Sequence, residues 1–414
     1  MRLTEIEQTM RAGEFGEPCR WAIEHQIKVG RFFDAEDLVP VRQAHIMADS
    51  ESLGEAGILF LERLADTAPD HRRVRVPTIT DPRGVDFAAY GRLKIGEDLA
   101  VLERRAVAAF EALGVLMTNT CINYQTIMPP VRGEHMAFGD TGVVIYSNAV
   151  FGARSNFEGG PSALAAGLTG RTPRYGFHLD RHRRGTKRIV IEAEPQSLSD
   201  WGALGGLVGR IVNSYWDVPV IEGFAEVPSS DALKHFGAAL ASYGSAAMFH
   251  IPGLTPEAST SAEAFGGPPP EPAVISAGDL RGFYAQYAAP GDRVDVVVFA
   301  APQLSLFELE ELAALLDGKT IAPHTTTLVA TSPENKSAAD RMGLTRRIEA
   351  AGAVVLEGVC FYQSYAREMA EANGWRRLLT NSAKLVNIIA GYGYEPTLAS
   401  TEQCIASAVA GRIT

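Results

Sequence analysis

The sequence predicts a multi-domain α/β protein built on parallel sheets, and three observations carry that expectation. From residue 217 onward, β-like and helical segments alternate, the pattern of a parallel sheet with helices on its faces. At 414 residues with 46% hydrophobic side chains, the chain is too long for one ordinary domain and can fill more than one core. No segment repeats at a fixed period, which sets solenoids and propellers aside.

In chain order, residues 1–72 read as an N-terminal helical region packed on the first α/β domain, from "LTEIEQTMRAGEFGEPCRWAIEHQIKVGRFF" to "LGEAGILFLERLADTA". Residues 73–215 read as an α/β domain in which short β-like runs mix with Gly-rich loops. Residues 216–414 carry the regular alternation: "VPVIEGF", helical "SSDALKHFGAALASYG", "AAMFHIPG", "RVDVVVFAAP", helical "SLFELEELAALLDG", "TTTLVATS", helical "ENKSAADRMGLTRRIEAAG" and "AVVLEGVC". "FGGPPPEP" at 265–272 reads as a linker within this part.

A formal charge of -11 opposes broad binding to nucleic acid or anionic membrane, since both reward clustered Lys and Arg. A small-molecule substrate is the expectation. The opening "MRLTEIEQTMRAGEFGEP" lacks the apolar core of a signal peptide, and no apolar run is long enough to span a bilayer, so a cytoplasmic location is expected. Four cysteines are too few for a disulfide framework, and in a reducing compartment a functional cysteine is a metal ligand or a nucleophile.

Three of the four occupy element ends. Cys360 closes the strand "AVVLEGVC", at the edge where open α/β sheets gather ligands, and Cys121 follows the apolar run "LGVLM" in the same way. In "LASTEQCIASAVAGRI", Ser400 and Gln403 have capping-box spacing, which puts Cys404 in a first helical turn, where thiolate is favoured. Cys19 has no such placement. Each cysteine alone reads equally well as a small buried hydrophobe, and with no C-x-x-C present, a three-thiolate metal site is permitted but not required.

Other signals are set aside. His178, Asp180 and His182 alternate in "FHLDRHRRGTKR", but the flanking arginines oppose a cation, and a basic turn before the strand "RIVIEAEP" is expected instead. The glycines of "WGALGGLVGRIVNSYW" miss the dinucleotide-binding order and fit close helix packing. His45 and His135 read as structural histidines.

"NAVFGARSNFEGGPSALAAGLTGRTPRYGFHLD" (148–180), with "TCINY", "GEH", "TNSAK" and "STEQC", resembles the aconitase X family. "LVPVRQAHIMADSESLGEAG" and "VRVPTITDPRGVDFAAYG" extend the resemblance through the N-terminal part. It implies an aconitase-like α/β/α fold around a central iron site, and a carbon–oxygen hydro-lyase acting on a hydroxy acid. The iron or iron–sulfur cluster would be held by Cys121, Cys360 and Cys404. It further implies Lys384 of "TNSAK" as a catalytic or carboxylate-binding residue. Asp49, Ser50, Asp81, Pro82, Asp140, Thr141, Arg154 and Asn156 become substrate contacts. The same aspartates also fit turns and helix caps, and Arg154 fits an arginine bracing its loop.

One departure matters: the Ser-rich segment of the family's small swivelling domain does not occur here. The resemblance therefore implies a large subunit whose small partner supplies the serine base. Three functions follow: dehydration of cis-3-hydroxy-L-proline to Δ1-pyrroline-2-carboxylate, which the loop sequences favour; dehydration of phosphomevalonate, which the acidic loops disfavour; and non-catalytic iron sensing, which the acidic composition disfavours.

Overall fold

The buried run "VVVFAAPQL", Val296–Leu304, has no polar face, as the middle strand of a sheet covered on both sides requires. In the computed structural model, which describes residues 1–414, it is the centre of a five-stranded, wholly parallel sheet. The order is Val354–Glu357, Thr326–Thr331, Val296–Leu304, Arg377–Thr380, Glu395–Leu398. The chain adds strands outward on one side of Val296–Leu304 and then on the other, so a topological switch point lies between Val296–Leu304 and Arg377–Thr380. At the carboxyl edge, Ser305, Ser332, Ser382 and Ser400 each cap the helix that follows by accepting an amide hydrogen.

Three short parallel strands, Thr78–Thr80, Ala44–Ile46 and Ala137–Phe138, form the sheet of the N-terminal part. The apolar run before Cys121 lies beside it through a single bridge, Ile79 to Leu116. The helical region expected at 1–72, packed on this domain, is corrected in that it supplies a strand to the sheet. Ala44–Ile46 is the middle strand of this sheet, and three residues are too few to show a period-two pattern. Leu38–Pro40 pairs antiparallel with Arg171–Pro173 and ties the two ends of this part together.

The middle part is a third parallel sheet, Pro219–Glu222, Lys187–Ile191, Ala273–Ile275. Its helices Leu198–Val212 and Ser230–Gly244 approach so closely that a Cβ on Gly205 would stand 2.1 Å from the Phe236 carbonyl oxygen. Close packing is the reason for the glycines. The expected boundary at 215/216 runs through this sheet and is also corrected: Lys187–Ile191 lies before it and its two partners after it. "AAMFHIPG" forms a single bridge, Val220 to His250, rather than a strand. "FGGPPPEP" connects Ser261–Phe265 to Ala273–Ile275 inside the same unit.

One apolar cluster joins Cys121, Phe138 and Phe177 to Ile189, Phe236 and Phe249, and a second joins Val85, Leu93 and Ile95 to Val298, Leu356 and Phe361. The N-terminal part thus shares a core with each of the other two. No helix is long and apolar enough to cross a membrane.

Candidate active site

The carboxyl edges of the N-terminal and C-terminal sheets face each other, and the chemistry gathers between them. On the N-terminal side the three strands lead to Asp49, Asp81 and Asp140. Asp49 caps Ser50–Ala65 through Ser52 N–H (2.7 Å), and Asp140 caps Thr141–Val150 through Val143 N–H (2.9 Å). On the opposite side stand Gln303, Cys360, Tyr362, Gln363 and Lys384. A bridge from Arg83 to Val359 and the hydrogen bond from Arg83 N–H to Gly358 O (2.9 Å) join the two edges.

Cys121 and Cys360 are both buried free thiols at these facing edges, and both loops touch Gln303, Cys121 through its N–H and Sγ and the Cys360 loop through Val359 O. The neighbouring Cys360 thiol, then burial, then the Asp140 charge push the Cys121 thiol well up. Lys384 is buried in the first turn after the Ser382 cap. Burial alone would lower its pKa, but Asp140, the two cysteines and Asp81 together raise it, so it remains a cation. Its Nζ is 3.5 Å from Asp140 Oδ1 and 5.5 Å from the centre of the Tyr362 ring. Asp81 is fully buried. Its Oδ2 accepts from Gln363 Nε2 (3.1 Å), while its Oδ1 has no hydrogen-bond partner. Burial, Asp140 and Cys121 push its pKa well up.

Two open cavities, of about 710 and 780 Å³, lie between the middle and C-terminal parts and contain none of these residues. Chemistry rather than volume marks the site: paired thiols, one buried cation and unsatisfied buried polar atoms on Asp49, Asp81 and Asn123.

Not every residue singled out in the sequence converges here. Ser400 and Gln403 do form the capping box, and Cys404 does lie in that helix's first turn. Its side chain nevertheless packs with Val297, Phe299, Leu309 and Ile405 on a face of the five-stranded sheet, in a different core cluster from Cys121 and from Cys360. Burial there raises its thiol pKa, the opposite of helix-end activation. Arg154 donates to His178 O (3.0 Å) and Asp180 Oδ1 (2.5 Å), and Asn156 spends its amide on Tyr175 O, Phe177 N–H and Tyr215 OH. Both brace the 175–180 loop. Arg154 and Asn156, expected as substrate contacts, make these loop bonds here, Arg154 with two of its five N–H groups. Ser50 is tied to Glu103 (2.5 Å) and Tyr365 (2.7 Å), Thr141 opens its helix, and buried Pro82 carries the chain from Asp81 to Arg83. His178, Asp180 and His182 lie on two short 3-10 turns before the strand Lys187–Ile191.

The two thiols suit a soft metal centre, but no three His, Cys, Asp or Glu side chains stand together as metal ligands. Of the three cysteines expected as iron ligands, Cys121 and Cys360 stand at the facing edges and suit thiolate ligation, while Cys404 packs in the apolar cluster of the five-stranded sheet. Gln303, Tyr362, Asn123 and the His45 bonded to Thr120 O (2.9 Å) were not singled out as site residues. Asn123 and His45 lie in the stretches "TCINY" and "LVPVRQAHIMADSESLGEAG" that carry the family resemblance, whereas Gln303 and Tyr362 lie in no such motif.

Models for the aconitase X first, second and third domains match residues 1–181, 185–285 and 294–410. The phosphomevalonate dehydratase large subunit of Methanothermobacter thermautotrophicus is 35% identical, over 94% of each chain. The cis-3-hydroxy-L-proline dehydratase of Pseudomonas aeruginosa is 32% identical over 99% of this chain and 70% of its own length. The crystal structure of Thermococcus kodakaraensis aconitase X in its holo-form superposes with a TM-score of 0.88 at 28% identity, covering 99% of this chain and 100% of that one. With three domain models in order and a relative at this identity over nearly the whole length, the chain belongs to the aconitase X family of carbon–oxygen hydro-lyases.

Proposed function

We propose that this chain is the large subunit of a two-chain dehydratase that removes water from cis-3-hydroxy-L-proline. The observation that carries the substrate choice is the charge inventory of the cleft. Lys384 is the one buried cation there, set among Asp49, Asp81 and Asp140, with Glu51 and Glu103 beside them. A zwitterionic amino acid offers one carboxylate for Lys384 and one ammonium for the carboxylates. A substrate with both phosphate and carboxylate needs more than one cation to replace its hydration.

Cys121 and Cys360 would hold the iron, which when bound supplies a Lewis acid for the departing hydroxide. Lys384, with only one long contact to Asp140, has hydrogens to spare for the substrate carboxylate. That fixes the ring so that the α-hydrogen and the 3-hydroxyl can leave. The proton goes to a base that the small partner supplies, the carbon–oxygen bond breaks, and the resulting enamine tautomerises to Δ1-pyrroline-2-carboxylate. The two-chain reading is supported by the Methanothermobacter thermautotrophicus relative, itself a large subunit.

The 35% identity to that phosphomevalonate dehydratase large subunit favours a second reading, phosphomevalonate as substrate. Anaerobic co-expression with a small subunit, iron and sulfide analysis, and parallel assays of the two substrates separate them. Turnover of the hydroxyproline alone supports the first reading; turnover of 5-phosphomevalonate alone replaces it with the second.

A further inference from the structure

We propose that Gln303 is the positioning residue of the paired-thiol site, its carboxamide setting the loop of Cys121 and the loop of Cys360 at the separation where both thiols reach one ligand. This rests on the reading that these two thiols hold the metal. Gln303 is fully buried at the carboxyl end of Val296–Leu304, beside the switch point.

Its Oε1 accepts the Cys121 peptide N–H (3.2 Å), and its own peptide N–H donates to Cys121 Sγ (3.4 Å). Its Nε2 donates to Asn119 O (3.2 Å), Val359 O (3.2 Å) and Thr331 O (3.3 Å). Two hydrogens serve three carbonyls, so one of them is shared. The partners fix the orientation of the amide, because the flipped form would set its oxygen against three carbonyl oxygens and its NH2 against an N–H. One side chain thus holds the residues on either side of Thr120 and the residue just before Cys360. Behind it, the Gln303 carbonyl accepts from Lys234 Nζ (3.3 Å), which is itself held by Glu308 and by Asp231 (3.1 Å). The Gln303 side chain's bonds go to loops that flank the thiols and to the adjacent strand end. An apolar residue of the same size would leave the Cys121 N–H and the Asn119 and Val359 carbonyls unpaired, Thr331 O still accepting from Gly358 N–H (2.9 Å), and free the loops to part.

The test uses the full chain with its small subunit and two variants. Gln303→Met matches length without hydrogen bonds; Gln303→Asn keeps the amide but is one methylene too short to span both loops. In metal-free folded protein, diamide takes two electrons and two protons from Cys121 and Cys360, and peptide mapping follows the disulfide. After anaerobic reconstitution, iron per chain and the thiolate-to-iron charge-transfer absorption are recorded. We expect disulfide formation slowed roughly tenfold or more, as the effective concentration of one thiol at the other falls, and the absorption weakened or lost. Wild-type rate and absorption in either folded variant, at whatever stability, overturn the proposal. Iron retained by Gln303→Met but lost by Cys121→Ser overturns the role of Gln303 alone. If the wild-type chain forms no Cys121–Cys360 disulfide and binds no iron, the two-thiol reading and this proposal fall together.

Discussion

Lys234 and Lys384 are both buried lysines facing the same strand end, yet they are used in opposite ways. Lys234 is closed on itself: Glu308, Asp231 and the Gln303 carbonyl take its three hydrogens, and Glu308 also binds His235 (2.7 Å). Burial opposes charge on both partners, but the pairing wins, lifting Lys234 and holding Glu308 well below the usual carboxylate range. Lys384 has one long contact to Asp140 and lies among thiols and the under-bonded Asp81. A buried charge with all its bonds spent builds the fold; one with bonds to spare awaits a ligand.

The strongest way to break this comparison is to remove the thiols next to Lys384. Cys121→Ser or Cys360→Ser should cost turnover about a thousandfold or more and release iron, a loss of several kcal/mol of transition-state stabilisation. Cys404→Ala should keep iron and lose only about 1–2 kcal/mol of stability as a small cavity opens in its apolar cluster. Iron released by Cys404→Ala and kept by Cys121→Ser would reverse the assignment.

On the closed side, Lys234→Met takes the cation from buried Glu308 and a bond from half-buried Asp231, and chemical denaturation should register about 3–5 kcal/mol of lost stability. A cost below about 1 kcal/mol would mean that the network is not closed in solution. Glu158 sharpens the contrast with Glu308, because it is buried with a Thr172 hydroxyl (2.9 Å) and no cation, and burial raises it from 4.5 to about 7. The folded state then binds the proton more tightly than the unfolded one. Its stabilising contribution is complete below pH 4.5, falls as pH rises from there to 7, and is gone above that. The change is on the order of 3 kcal/mol at most. Glu158→Gln should flatten that slope in denaturation curves taken from pH 4.5 to 8.

For the open lysine, Lys384→Met should lower turnover about a hundredfold while stability moves by about 1 kcal/mol or less, since little bonding is lost. Comparable losses in both would make Lys384 a second Lys234. The smallest effect belongs to Arg154→Lys. The ion pair with exposed Asp180 is worth about 0.5 kcal/mol, so a thermal melt should shift only slightly, with turnover within about twofold of wild type. A large rise in KM would return Arg154 to the substrate.

Much of the architecture was legible in particular residues. Alternating "VDVVVFAAP", "TTLVATS" and "AVVLEGVC" with Ser-capped helices reads as parallel α/β, and that sheet is present. The 205/209 glycines read as helix packing, and they pack. Cys121 and Cys360 read as residues at sheet edges, and the Gln303 side chain bonds the loop of each. Cys404 shows where such reading stops. Its capping box is a local fact and formed as expected, but which face the helix turns to the sheet depends on everything packed around it. Ala44–Ile46 was too short for its pattern to show, and Gln303 sits in an otherwise apolar strand with nothing nearby to mark it.

The sequence by itself determined the element types, the caps, the family resemblance and the two strand-end thiols, because periodicity, capping chemistry and turn residues act over a few neighbouring positions. Only the tertiary structure decided that Cys404 packs in an apolar cluster, that Arg154 and Asn156 bond the 175–180 loop, and that Lys384 is left open while Lys234 is closed. Those outcomes depend on which distant side chains share a low-dielectric space, where each buried polar group must find a partner among neighbours the chain order does not name.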